Sequence, residues 1–136
     1  MHFAANRRRV QGLSSSVRRG LAEVRYFPAV LILPVDLAAL RQRDMARLVS
    51  RWRATRRRVI ARLVGRPDEG PQGGIPLILP RWLYSRASEV AGDRGLRDIV
   101  NGLAAPHRVL LRLPSAAMDV DTPGDLRAAR RRAAAP

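Results

Sequence analysis

Apolar residues recur along the chain in two rhythms, one suited to helices and one to strands. Leu13, Val17, Leu21 and Val24 follow one another at helical spacing and predict an amphipathic helix, with Ser14 to Ser16 available to cap its free amides. The apolar run Ala29 to Val35 predicts a fully buried strand ending at Asp36. Met45, Leu48, Val49 and Trp52 share one face of a second helix, expected from Gln42 to Thr55, with Asp44 in its first turn. Val59 to Val64 reads as the next strand, and Gly65 to Gly74, rich in glycine and proline, as a loop. Ile75 to Leu79 is a short apolar stretch closed by Pro80. Helices are expected over Arg81 to Ala91 and Leu96 to Leu103, the second capped by Asp93, and then a strand over Val109 to Leu113. Thr122, Pro123 and Asp125 form a helix start: a hydroxyl cap, a proline at the first helical position and an acid at the third. Residues 130–136 are expected to fray as a basic, alanine-rich tail.

Strands that alternate with helices argue for a single α/β domain over residues 1–136 with a mostly parallel sheet. Ligands of such sheets sit beyond the carboxyl ends of the strands, where Asp36 stands. Trp52 and Trp82 fall on apolar helix faces and are expected in the core. The apolar runs are too short to span a bilayer, and the arginine-bearing start is no secretory signal. The chain has no cysteine, which excludes disulfides and thiolate metal sites and agrees with a cytoplasmic protein. His107 follows Pro106 and reads as a loop residue, and no histidine pair has zinc spacing.

Charge changes the picture in one respect. The formal net charge is +15, and every one of the 26 basic residues is arginine. The absence of lysine and the abundance of alanine carry the imprint of a GC-rich coding sequence. Arginines attract polyanions, but their spread throughout the chain equally describes solvated faces.

Four segments, in order, resemble the MobA-like nucleotidyltransferase family, in particular its molybdenum cofactor cytidylyltransferase branch. They are Gly12-Leu13-Ser14-Ser15-Ser16-Val17-Arg18-Arg19-Gly20, Ala29-Val30-Leu31-Ile32-Leu33-Pro34-Val35-Asp36, Gly73-Gly74-Ile75-Pro76 through Gly92-Asp93-Arg94-Gly95-Leu96-Arg97, and Asp119-Val120-Asp121-Thr122-Pro123-Gly124-Asp125-Leu126. The first is similar to the family's Gly-Met-x-x-Ser-Leu-x-x-Gly helix start, and the second to its strand ending in Gly-Asp-x-Pro. The third resembles a Gly-x-Pro stretch and a Gly-Asp-x-Gly-Ala-Arg turn, and the fourth an Asp-Ile-Asp-Thr-Pro-Glu-Asp-Leu segment.

The resemblance implies a Rossmann-like, nucleotide-diphospho-sugar-transferase-like fold of three layers. Its reaction would transfer CMP from CTP (or the corresponding group from GTP) to a molybdopterin-type substrate, releasing pyrophosphate, with a molybdoenzyme as a further partner. It implies Asp36 as the catalytic carboxylate and first ligand of a magnesium ion, with Asp119 as the second and Asp121 in reserve. Gly74 and Pro76 would line the pterin wall, Gly92, Asp93 and Gly95 would turn helix amides toward a substrate phosphate, and Ser15 and Ser16 would meet an anion. Each also has a plain structural reading: Asp36, Ser15 and Ser16 as helix caps, Gly74 and Pro76 as a turn, and the others as ordinary loop and capping residues. Val35 and Ala38 replace the glycine and proline that flank the family's aspartate, and Ile75 replaces a histidine. The family's opening strand and Leu-Ala-Ala-Gly-x-Ser-x-Arg-Met-Gly phosphate loop have no counterpart among these residues, so the domain is expected to be incomplete and of doubtful activity. The alternative from a different class is a non-catalytic, arginine-rich protein that binds nucleic acid.

Overall fold

The computed structural model describes residues 4–7, 12–37, 40–55, 58–64, 70–89, 95–114 and 122–134. In chain order the elements are α1 (Leu13–Glu23), β1 (Ala29–Ile32), α2 (Gln42–Thr55), β2 (Val59–Val64), β3 (Gln72–Pro80), α3 (Tyr84–Glu89), α4 (Gly95–Asn101), β4 (Arg108–Leu111) and α5 (Pro123–Ala134). A 3-10 turn over Arg81–Leu83 leads into α3, and another over Ala105–His107 leads into β4.

The four strands form one sheet in the order β1-β3-β2-β4. β3 pairs antiparallel with both β1 and β2, whereas β2 and β4 pair in parallel. Three strands therefore share one direction, and β3 alone runs against them. The expected mostly parallel sheet holds for strand direction, but the reversed strand sits inside the sheet, so its two pairings are antiparallel.

Alternation along the strands sorts side chains to two faces, as a period of two requires. Val59, Ala61, Leu77 and Leu79 belong to a core shared with α1, α3 and α4. Ile60, Ile78, Leu31, Val109 and Leu111 belong to a second core under α2, completed by Leu37 and Leu113. Helices thus lie on both faces, giving the three layers that the α/β pattern implies.

Two helices start by the same device. In α2, Asp44 accepts a hydrogen bond from the Arg41 amide at 3.2 Å, its carboxylate reaching back over the first turn. In α5, the Thr122 hydroxyl accepts from the Asp125 amide at 3.2 Å while the Asp125 carboxylate accepts from the Thr122 amide at 2.9 Å. α1 differs from expectation. Its cap is Gly12, at φ 85°, a left-handed conformation that favours glycine, and no side chain caps the helix. Because α1 begins at Leu13, the serines lie inside the first turn, where Ser15 donates back to the Gly12 carbonyl at 2.9 Å.

Further expectations are corrected. β1 stops at Ile32, and Val35 is fully exposed in a turn; Pro34 has no amide to extend the ladder. The strand lies at the sheet edge and is half-buried, so a continuous apolar run did not mean burial on both faces. β3 begins at Gln72, three residues before the apolar stretch, and takes in Gly73 and Gly74. Glycine there serves close packing: a Cβ on Gly73 would come within 2.5 Å of a Val100 methyl. Trp52 does pack on the α2 core, but Trp82 is 47% exposed, edge-on to the His107 ring at 6.2 Å. α5 extends through Ala134, into the stretch 130–136. No helix among the described residues is long and apolar enough to cross a membrane.

Candidate functional site

β1, β2 and β4 end on one rim of the sheet, and β3, running the other way, starts there. The register makes this explicit, since Val64 at the end of β2 lies opposite Gln72 at the start of β3. The residues of interest follow from that geometry.

Asp36 stands in the turn between β1 and α2, four positions past Ile32, and is exposed. It makes no hydrogen bond or ion pair among the described residues, and the start of α2 is held by Asp44 instead. The capping reading of Asp36 therefore does not apply. Its carboxylate is a hard oxygen donor facing solvent.

Gly74 lies in β3 opposite Arg62, half-buried, and a Cβ there would approach two Val64 methyls at 2.9 Å. Pro76 is fully buried, follows a cis peptide bond from Ile75, and sits where β3 carries two residues more than β2. Both are strand residues, not a free turn. Gly95 is buried as the first residue of α4. Ser15 is buried and Ser16 exposed; the Asn6 amide donates to both hydroxyls, at 2.8 and 3.0 Å. Their oxygens thus already accept a hydrogen bond within the chain. Gly92, Asp93, Asp119 and Asp121 lie outside the described residues.

The structure ties Gly74's strand and Gly95's helix together through residues the sequence reading passed over. Arg97 of α4 donates to the Gln72 side-chain carbonyl at the start of β3. Asn101, at the end of α4, accepts through Oδ1 from the Gly73 amide at 2.8 Å and from Arg108 at 3.0 Å. Arg108 also donates to the Val100 and Asn101 carbonyls, so a cation sits on the carboxyl end of α4, where it meets the negative end of the dipole. Arg97 closes the Gly-Asp-Arg-Gly-Leu-Arg segment and could have been singled out; Asn6, Gln72 and Asn101 carry no comparable sequence signal. No hydrogen bond among the described residues joins Asp36 to Ser15, Ser16, Gly74 or Gly95. What these residues share is their assignment by motif, not a network.

Among the described residues no three carboxylates, histidines or cysteines stand together as a metal cage. Asp36 presents one exposed carboxylate at this end of the sheet.

Against known sequences, the family model of the MobA-like NTP transferase domain matches residues 1–109. The mixed α/β sheet with helices on both faces agrees with a partial Rossmann-like nucleotidyltransferase fold. A search of curated proteins finds no match.

Proposed function

The chain belongs to the MobA-like NTP transferase domain family, and from that premise we propose that it carries the metal-binding side of a cytoplasmic cytidylyltransferase acting on molybdopterin. A domain of nucleotidyltransferase type takes a nucleoside triphosphate, and CTP is the triphosphate of this reading. An acceptor phosphate oxygen attacks the α-phosphorus, a new P–O bond forms, the bridge to the β-phosphate breaks, and pyrophosphate leaves. Bound magnesium would offset the charge that develops on the phosphates. Asp36 would hold the ion, with Asp119 as the second carboxylate, and the backbone around Gly74 would border the pterin.

The observation that carries the reading is the unengaged, exposed carboxylate of Asp36 beyond a strand end of the sheet, where ligands of open α/β sheets bind. These 136 residues contain no glycine-rich phosphate loop of the family's form, so their own turnover of CTP is expected to be negligible.

Calorimetric titration with CTP and with GTP, each with magnesium, tests the proposal alongside a pyrophosphate-release assay. CTP is expected to bind more tightly than GTP, and Asp36→Asn to weaken CTP binding by at least about tenfold, as loss of a metal contact does. Equal binding by the parent chain and Asp36→Asn would remove Asp36 from the site. Pyrophosphate release that depends on Asp36 would show that the phosphate loop is dispensable.

A further inference from the structure

The outward face of α2 carries arginine without any acid. Arg43, Arg47, Arg51 and Arg53 are exposed, and the remaining exposed positions of the helix are glutamine, serine and alanine. Arg43, Arg47 and Arg51 recur every four residues and so share one stripe, with about 6 Å of helix rise between neighbours. The one acid of the helix, Asp44, is buried and turned to the Arg41 amide. Such a stripe weakens an isolated helix, because like charges at this spacing repel.

Coding composition accounts for arginine in place of lysine, but it does not remove acids. α1, α3 and α4 interleave the two charges, and α5 is the other arginine-rich helix. Arg19 and Glu23 pair at 2.6 Å on α1, Glu89 is exposed on α3 beside Arg86, and Asp98 is exposed on α4 beside Arg97. On α2 the positive charges stand together.

The chemistry of the face also narrows its partner. No large apolar side chain is exposed on α2; those that are exposed, such as Tyr26, Phe27 and Val35, lie elsewhere. A membrane-inserted helix would need such anchors, and a protein hot spot commonly sets aromatic ones beside its arginines. A phosphodiester backbone needs none, and it offers repeated anionic oxygens that a guanidinium can grip with two parallel N–H groups.

We infer that the α2 face docks the phosphate backbone of nucleic acid, without reading its sequence. The inference stands on charge complementarity alone and is independent of the transfer reaction. The 14-residue helix starts six positions past Asp36, and the stripe from Arg43 to Arg51 runs along about 12 Å of it.

Fluorescence anisotropy of a short labelled DNA duplex with the full chain, across a salt series, tests it. The parent chain is expected to bind with affinity that falls steeply with salt. The triple variant Arg43→Gln/Arg47→Gln/Arg51→Gln should reduce the log–log salt slope by about 2.7 and weaken binding at least about tenfold at about 0.1 M salt. A control triple, Arg86→Gln/Arg127→Gln/Arg131→Gln, removes the same charge from exposed sites elsewhere and should leave the slope within about 1 of the parent. Arg47→Gln alone should lower it by about 0.9 and guards against loss of fold in the triple variant. Absence of binding by the parent, or equal losses in the two triples, overturns the inference. Equally tight binding to anionic vesicles that the α2 triple abolishes would reassign the face to a membrane surface.

Discussion

On one face of the sheet, α1, α3 and α4 close together over Val59, Ala61, Leu77 and Leu79. On the other, α2 is the helix that covers Ile60 and Ile78, helped by Leu37 and Leu113 from the turns. The same strands feed both cores through their alternation, so the difference lies in the covers. Three helices hemmed in by one another have little room to adjust. α2, the one helix that contributes to this core among the described residues, can shift to follow a change beneath it, and its outer surface carries charge.

The sharpest way to break this contrast is to open a cavity on each side. Leu79 and Leu48 are both fully buried, the first under the three helices and the second on α2 itself. Leu79→Ala is expected to cost about 4 kcal/mol and Leu48→Ala about 2.5, within the range for buried leucines, because α2 can settle into its void. Urea unfolding of the two variants measures this; equal losses would mean the faces are equally rigid.

Overpacking comes next. A Cβ on Gly73 would meet Val100 at 2.5 Å, Leu110 at 3.1 Å and Ala61 at 3.2 Å, all on the three-helix side. Gly73→Ala should cost about 1–3 kcal/mol by the same measurement. A cost below about 0.5 kcal/mol would show that this core yields more readily than its cover suggests.

The smallest effect concerns a hydroxyl. Tyr84 is buried among the three helices, and its oxygen has no hydrogen-bond partner among the described residues. Burial holds its phenol above the ordinary value of 10, with Arg81 pulling part of the way back. The unfolded chain therefore gives up this proton first. The tyrosine's effect on stability is constant below pH 10, and stability falls as pH rises through that value. Tyr84→Phe should change stability by less than about 1 kcal/mol at neutral pH and flatten the alkaline decline. Unfolding curves on either side of pH 10 check it, and an unchanged decline in the variant would assign the effect to other groups.

What the sequence let one read, and what it did not, follows from the range of the forces involved. α2 and β2 have the bounds their periodicity predicts, because Met45, Leu48, Val49 and Trp52, or Val59 to Val64, respond to a single buried face. The start of α5 was equally plain, since Thr122 and Asp125 exchange hydrogen bonds within one turn. β1 and β3 were misjudged because their ends depend on partners far along the chain. Ala29 finds Pro80, and Gly73 pairs with Leu63 in a place where Val100 and Leu110 leave no room for a Cβ. The site shows the same division. Asp36 was singled out by motif, and its exposure and lack of a partner among the described residues needed the fold. The Asn101 junction joins residues on β3, α4 and β4, and nothing local announces it.

The reversal of β3 also divides the molecule into a fixed end and a changeable one. At the end away from the rim, connections are brief: Val24 to Pro28 leads into β1, Pro80 passes directly to Arg81, and Gly102 to His107 leads into β4. The Arg81 amide donates to the Pro28 carbonyl at 2.9 Å, tying two of these joints to each other. An inserted residue there would pull on the register of the whole sheet. At the rim, β2 and β3 are already paired from Val64 and Gln72 inward, so the chain that joins them there can change in length and chemistry while both strands stay in place. A descendant of this fold could therefore rewrite that joint and inherit the far end unaltered.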